Sequence, residues 1–158
     1  MSLMSRKVDY ALLILSFLDR QREGGCAREI ADRYDLSKGF VANILKELCQ
    51  KGFVASHRGV KGGYAMRRPA EDISLADLME ALDEAFHLAE CTHPADSSRV
   101  CTIAAVCPVK GAIAEVHGRI RELLRGVTLA EVFRPRGMDS PAILGLDLLQ
   151  PHKLLEAQ

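Results

Sequence analysis

Tryptophan is absent from this chain of 158 residues, and aromatic residues make up only 5% of it. The apolar stock, 48% of the sequence, is therefore mostly Leu, Ala, Ile and Val. That is enough for a real core, argues against disorder, and favours helices. No run of 18 apolar residues occurs, so no segment reads as a membrane span. Residues 1–7 are polar and Asp9 follows, which does not fit a signal peptide. The expected location is the cytoplasm, where five cysteines are thiols, ligands or redox groups and not a disulfide framework. Also missing are a nucleotide-binding Gly loop after a strand, H-E-x-x-H and any nucleophile motif, which argues against an enzyme or electron carrier. Neither an internal repeat nor a low-complexity tract is present.

Net charge is absent too, but it is unevenly spread. Residues 1–68 carry 13 Lys/Arg against 7 Asp/Glu, and residues 69–158 carry 8 against 14. A basic front half in a neutral chain is the footprint of nucleic-acid contact at one end only.

The basic end holds the most informative stretch, Arg58, Gly59, Val60, Lys61, Gly62, Gly63 and Tyr64. It separates two short β-type runs, 53–57 and 64–67, and follows an apolar-periodic segment, 37–51. A helix followed by a Gly-rich basic hairpin reads as a winged helix-turn-helix. Helices are expected at 6–22, 27–35, 38–51, 75–84 and 129–133, with Ser37, Ser74 and Thr128 as caps. In the third of these, Phe40, Val41, Ile44, Leu45 and Leu48 fall at core spacing. Residues 87–107 are irregular. Pro108 suits the first turn of a long helix of about 19 residues, with Val109, Ala112, Ile113, Val116, Ile120, Leu123, Leu124 and Val127 on its apolar stripe. His117 lies off that stripe and reads as a solvated histidine. The stripe exceeds what one small winged helix covers, so two copies packed antiparallel are expected, giving a homodimer; the alternative is a bundle with the first helix. The fold class is mainly α with a small β-wing: a winged helix-turn-helix over 1–86, a cysteine-bearing loop over 87–107, a dimerisation helix and short helix over 108–134, and a tail over 135–158.

Ser37, Lys38, Asn43 and Lys46 are exposed candidates on the second helix of the helix-turn-helix, and Arg58 and Lys61 are candidates at the wing tip. Asn pairs with adenine in two hydrogen bonds, and Lys and Ser serve phosphate or guanine. The expected partner is double-stranded DNA. Cys91, Cys101 and Cys107 share one loop, flanked by Thr, Pro and Ser and not by an apolar face. Thiolates there suit zinc or an iron–sulfur cluster, or a reactive thiol pair. C-x-x-C pairs are absent, and three thiolates need an outside ligand. Cys26 and Cys49 read as structural.

These residues together resemble the IscR/NsrR (Rrf-type) family of iron–sulfur winged-helix transcription regulators. The resemblance covers residues 4 to about 134. It rests on Val8, Asp9, Tyr10, Ala11 and Leu12, on Glu29, Ile30 and Ala31, on 36–48, on Gly52, Phe53 and Val54, on the wing, on the loop cysteines, and on Thr128, Leu129, Ala130 and Glu131. It implies a dimer on a palindromic promoter, with Arg58 entering the minor groove. It also implies a 2Fe-2S or 4Fe-4S cluster on Cys91, Cys101 and Cys107. Its presence, redox state or attack by nitric oxide would set DNA binding. One branch of the family takes its fourth ligand three residues after the last cysteine, where this chain has Lys110. Another takes an acidic residue from the first helix of the partner subunit, which corresponds to Asp9; His93 is the second choice. The alternative is a cluster-free thiol-redox or zinc-bound winged-helix repressor.

Overall fold

A computed structural model describes residues 4–21, 24–57, 62–82, 85–93 and 101–134. Its elements are α1 (Arg6–Arg20), α2 (Ala27–Tyr34), α3 (Lys38–Gln50), β1 (Val54–His57), β2 (Gly63–Met66), α4 (Leu75–Ala81), α5 (Lys110–Gly126) and α6 (Leu129–Phe133). Short 3-10 turns at Ala70–Asp72 and Glu90–Thr92 interrupt the connections. The fold is mainly helical with one two-stranded antiparallel sheet, as the sequence pattern leads one to expect.

Helix starts follow the capping chemistry. Ser5, Ser37, Ser74 and Thr128 each accept a backbone N–H from the first turn of the following helix. Cys26 does the same with its sulfur, which accepts the Glu29 N–H at 3.5 Å while Glu29 Oε2 accepts the Cys26 N–H at 2.8 Å. Cys26 is thus structural, as expected. The core lies where α1 meets α3: Val8, Ala11, Ile14, Leu15 and Leu18 face Val41, Ile44, Leu45 and Leu48, with Ile30 and Ala31 of α2 against them. Each such large side chain is worth about 1.5–3 kcal/mol on burial. Lys7 Nζ and Glu47 Oε1 bind α1 to α3 at 3.1 Å.

Phe40 departs from the expected core. It is 38% exposed. At 100° per residue it stands about 90° from the centre of the stripe formed by Val41, Ile44, Leu45 and Leu48, so it sits at the edge and not inside. Its ring rests edge-on against Tyr10 of α1, with centroids 4.9 Å apart.

The strands pair Val54 with Met66, Ala55 with Ala65, Ser56 with Tyr64 and His57 with Gly63. The base of this wing is fastened to the α1–α2 connection. Gly25 N–H donates to the Tyr64 carbonyl and Tyr64 N–H donates to the Gly25 carbonyl, both at 2.9 Å. Such an approach leaves no room for side chains. A Cβ on Gly24 would lie 2.5 Å from Tyr64 O, and one on Gly63 would lie 2.8 Å from Gly25 O.

A second backbone joint holds the C-terminal helices. Leu75 N–H donates to Val127 O (2.9 Å) and Leu129 N–H donates to Ile73 O (2.8 Å), with Ser74 and Thr128 paired between them. The long helix is somewhat shorter than expected, 17 residues, because Pro108 and Val109 form the turn before it. It packs on α4 and on Glu90–Thr92 and does not bundle with α1. Leu124 is buried there, and Glu80 Oε1 receives Arg121 at 2.9 Å and Arg125 at 3.6 Å. The apolar stripe of α5 proves to be two faces. Ile113, Ile120 and Leu124 turn inward with His117, while Val109, Ala112, Val116 and Leu123 stay exposed.

Gly24 has φ +81°, a conformation that side chains other than glycine rarely adopt, in addition to the contact with Tyr64. Gly24→Ala is expected to destabilise the fold by about 1–3 kcal/mol, measured as a lower urea midpoint. A midpoint equal to that of the unaltered chain would show that the wing is not fastened there.

Candidate nucleic-acid interface and cysteine segment

The exposed arc of α3 carries Lys38, Asn43 and Lys46, with Ser37 just before them. Ser37 Oγ accepts the Phe40 N–H at 3.2 Å, so one of its lone pairs is engaged while its proton remains to donate outward. The electrostatics of this helix end differ from those of α1, α2, α4 and α6, and only α5, which begins with Lys110, shares them. Asp9, Glu29, Asp77 and Glu131 place an acid in the first turn of α1, α2, α4 and α6. In α3 the first turn holds no acid and begins with Lys38, so the positive end of the helix dipole is left to attract an anion. Arg58 and Lys61 of the wing lie outside the described residues. Cys49, near the end of α3, packs against the core, and burial pushes its thiol pKa up, which keeps it protonated.

The three loop cysteines are free and half-buried. Cys91 sits in the Glu90–Thr92 turn. Cys101 and Cys107 bracket a run of turns that leads into α5: Ala104 N–H donates to Cys101 O at 3.2 Å and Lys110 N–H donates to Cys107 O at 3.4 Å. The donor set suits an iron–sulfur group in its chemistry, since three unoxidised thiols lie on one connecting segment. Their positions are another matter. Among the described residues, no three His, Cys, Asp or Glu side chains are gathered to hold a metal ion. Residues 94–100, between the first cysteine and the second, lie outside the described residues. Asp9 is exposed in the first turn of α1.

A feature not anticipated from the sequence lies beside Cys91. His87 stacks on His93 with ring centroids 3.9 Å apart, and on His117 at 5.8 Å; His117 stacks in turn on Phe86 at 5.6 Å. His87 Nδ1 is 3.1 Å from Thr92 O, and a carbonyl only accepts, so this nitrogen carries the proton. The column joins the 90–92 turn to the middle of α5. His117 is buried and not solvated, contrary to what its place off the stripe suggests. The signal is nonetheless present: His117 stands four residues after Ile113, three before Ile120 and seven before Leu124, on the inward face. Its Nδ1 has no hydrogen-bond partner among the described residues. Burial first, then the charges of His87, Arg121 and His93, depress its pKa.

The helix-turn-helix with an exposed second helix, and the paired strands fastened beside it, define a winged-helix DNA-binding protein. The chain belongs to the Rrf2 family, described as iron-dependent transcriptional regulators, which its residues 4–135 match. The HTH-type transcriptional regulator NsrR of Bacillus subtilis is 29% identical over 133 residues, covering 83% of this chain and 90% of that protein. The structure of IscR from T. potens is 25% identical with a TM-score of 0.59, over 81% of this chain and 83% of that one. CymR, the global cysteine regulator of B. subtilis, shares the fold with a TM-score of 0.64 at 23% identity, over 84% of this chain and 97% of its own. The family and these relatives are transcription regulators and not enzymes. Among the described residues, no helix is long and apolar enough to cross a membrane.

The histidine column makes a stability prediction. In the unfolded chain His117 takes up a proton near pH 6.5, while in the fold, where burial lowers its pKa, it does so only at lower pH. Its contribution is therefore complete above that pH and is lost as the pH falls from about 6.5 toward the folded value. His117→Phe, which keeps a ring on Phe86, is expected to flatten the fall in denaturation midpoint between about pH 7.5 and pH 5.5. Identical slopes for the two proteins would remove His117 from the titration.

Proposed function

We propose that this chain is a cytoplasmic homodimeric transcription regulator that binds a palindromic promoter and senses iron–sulfur cluster status, redox state or nitric oxide through a cluster on Cys91, Cys101 and Cys107. The observation that carries this reading is the set of three free, half-buried thiols on the segment between α4 and α5, in a chain of an iron-dependent regulator family. When bound, the cluster supplies a centre whose charge and integrity change with oxidant or nitric oxide. The chain's own residues do the rest. The cysteines anchor it, and Asp9 of the partner subunit offers the fourth ligand in place of the Lys110 position, with His93 the other candidate. Ser37, Lys38, Asn43 and Lys46 meet DNA in the major groove, and Arg58 and Lys61 meet it from the wing. The domain plan follows: DNA binding in 1–86, sensing in 87–107, dimerisation in 108–134.

Anaerobic reconstitution tests the cluster. A brown protein with one cluster per subunit is expected, either 2Fe-2S or 4Fe-4S. Cys91→Ala, Cys101→Ala and Cys107→Ala each lose it, while Cys26→Ala and Cys49→Ala keep it. Asp9→Ala keeps a cluster of altered spectrum and shorter life; a silent Asp9→Ala would pass the role to His93. The second reading is a cluster-free thiol-redox or zinc-bound repressor; its thiol-redox form needs no gathered metal donors, and none are gathered among the described residues. A colourless protein holding stoichiometric zinc, or an oxidisable thiol pair, would establish that reading instead.

The dimer is supported by the bare face of α5, where Val116 and Leu123 are each 46% exposed. Ile120 is packed partly against the chain's own core, so it reports on folding as much as on assembly. Leu123→Glu is the cleaner probe and is expected to weaken dimerisation by about tenfold or more, read by sedimentation with helix content unchanged. An unaltered chain that sediments as a monomer at micromolar concentration would rule out the dimer.

A further inference from the structure

Phe40 is an unexplained side chain: a large apolar ring, 38% exposed, on the helix assigned to the major groove. A buried role is already excluded by its place on α3. Random orientation is excluded as well, because Tyr10 holds the ring edge-on at 4.9 Å with the planes 84° apart. Its surroundings favour nucleic acid over a protein partner. Lys38, Asn43 and Lys46 are exposed on the same helix, whose first turn has no acid. The arc between them is shallow. Residue 39 is glycine, with nothing within 4 Å of where a Cβ would stand, and residue 42 is alanine. A helix with so little bulk beside Phe40 and Asn43 can sit deep in a groove, which leaves these two, with Lys38, as the side chains that project from its N-terminal half.

A phenyl ring has no hydrogen-bonding group, so it reads no donor or acceptor. Among the base edges of the major groove, only thymine presents an apolar group, its C5 methyl. We infer that Phe40 is a specificity residue that packs on a thymine methyl in each half-site. Asn43 lies one helical turn further along, on the neighbouring surface. Its two-bond partner is adenine, so the pair together selects A·T base pairs. The inference rests on the reading of α3 as the helix that enters the groove.

Replacement of thymine by deoxyuridine tests it, because the swap removes the methyl and leaves every hydrogen bond in place. The full-length protein first selects its site from a random pool of duplexes, and each thymine of that site is then exchanged singly. For the unaltered protein, one exchange per half-site is expected to weaken binding about fourfold, the worth of one buried methyl. Phe40→Ala should bind the thymine site more weakly and become indifferent to that exchange. Phe40→Leu should recover part of both affinity and discrimination. Circular dichroism of both variants checks that α3 remains folded. If every single exchange affects the unaltered protein and Phe40→Ala alike, the inference is overturned. It is overturned equally if Phe40→Ala changes only the dimerisation constant, for then the ring covers a protein contact. A protein that enriches no sequence at all would instead defeat the groove reading of α3, and this inference with it.

Discussion

Two backbone hydrogen bonds hold the long helix to the DNA-binding part: Leu75 N–H to Val127 O and Leu129 N–H to Ile73 O. The proposed link between the cysteine segment and the DNA-binding end depends on that joint, because it fixes where α5 leaves the helix-turn-helix. The joint brings the beginnings of α4 and α6 side by side, since Ser74 and Thr128 are both N-caps and are paired with each other. Two helix N-termini together concentrate positive dipole ends. Each is answered locally, by Asp77 in one capping box and Glu131 in the other. Glu80 adds contacts to Arg121 and Arg125, but these groups are exposed and contribute little beyond direction. The backbone pair and the buried Leu124 and Leu129 are what resist rotation.

The DNA-facing end obeys a different constraint, close backbone approach. Gly24, Gly25 and Gly63 let the wing strand pair with the α1–α2 connection, so the base of the hairpin is joined to the helix-turn-helix. This matters for recognition, since cations on a wing and side chains on α3 address the same duplex only when their separation is fixed. The helices of this body are capped so that acids settle at the starts of α1 and α2, while α3 keeps a cation there. That choice costs α3 some stability in isolation. Its burial of Val41, Ile44, Leu45 and Leu48 more than offsets the loss.

Most of the fold is legible from patterns that act over a few residues. Caps, glycine breaks and apolar spacing place each α-helix among the described residues within a few residues, and the glycine-rich hairpin locates the wing strands. Three things are not legible, and each depends on contacts distant in sequence. Phe40 fits a core spacing, yet whether a residue at the edge of a stripe is covered is decided by the width of α1 opposite. His117 reads as polar and therefore outward, although its spacing from Ile113 and Leu124 is that of the inward face. The two faces of α5 merge into one stripe because sequence periodicity does not say which half α4 covers. For the candidate site, the thiols and the exposed residues of α3 are identifiable by type. Their gathering around a common ion is a matter of tertiary geometry, which periodicity does not encode.

The placement of the cysteines bears on how binding at one end of the chain could be felt at the other. Cys91 belongs to a small rigid turn, braced by His87 Nδ1–H on Thr92 O and by the mutual bonds of Ala89 and Thr92. That turn is seated on the middle of α5 through the ring column of His93, His87 and His117. Cys107 belongs to a second body, the run of turns whose last bond, Lys110 N–H to Cys107 O, begins α5 itself. The two bodies thus rest on different points of one helix. Among the described residues, Cys91, Cys101 and Cys107 are not gathered with other donors into a metal-binding group. Stacked rings slide more easily than they separate, since sliding keeps them in contact while separation exposes apolar faces. The column thus ties the Cys91 turn to the middle of α5 through ring contacts.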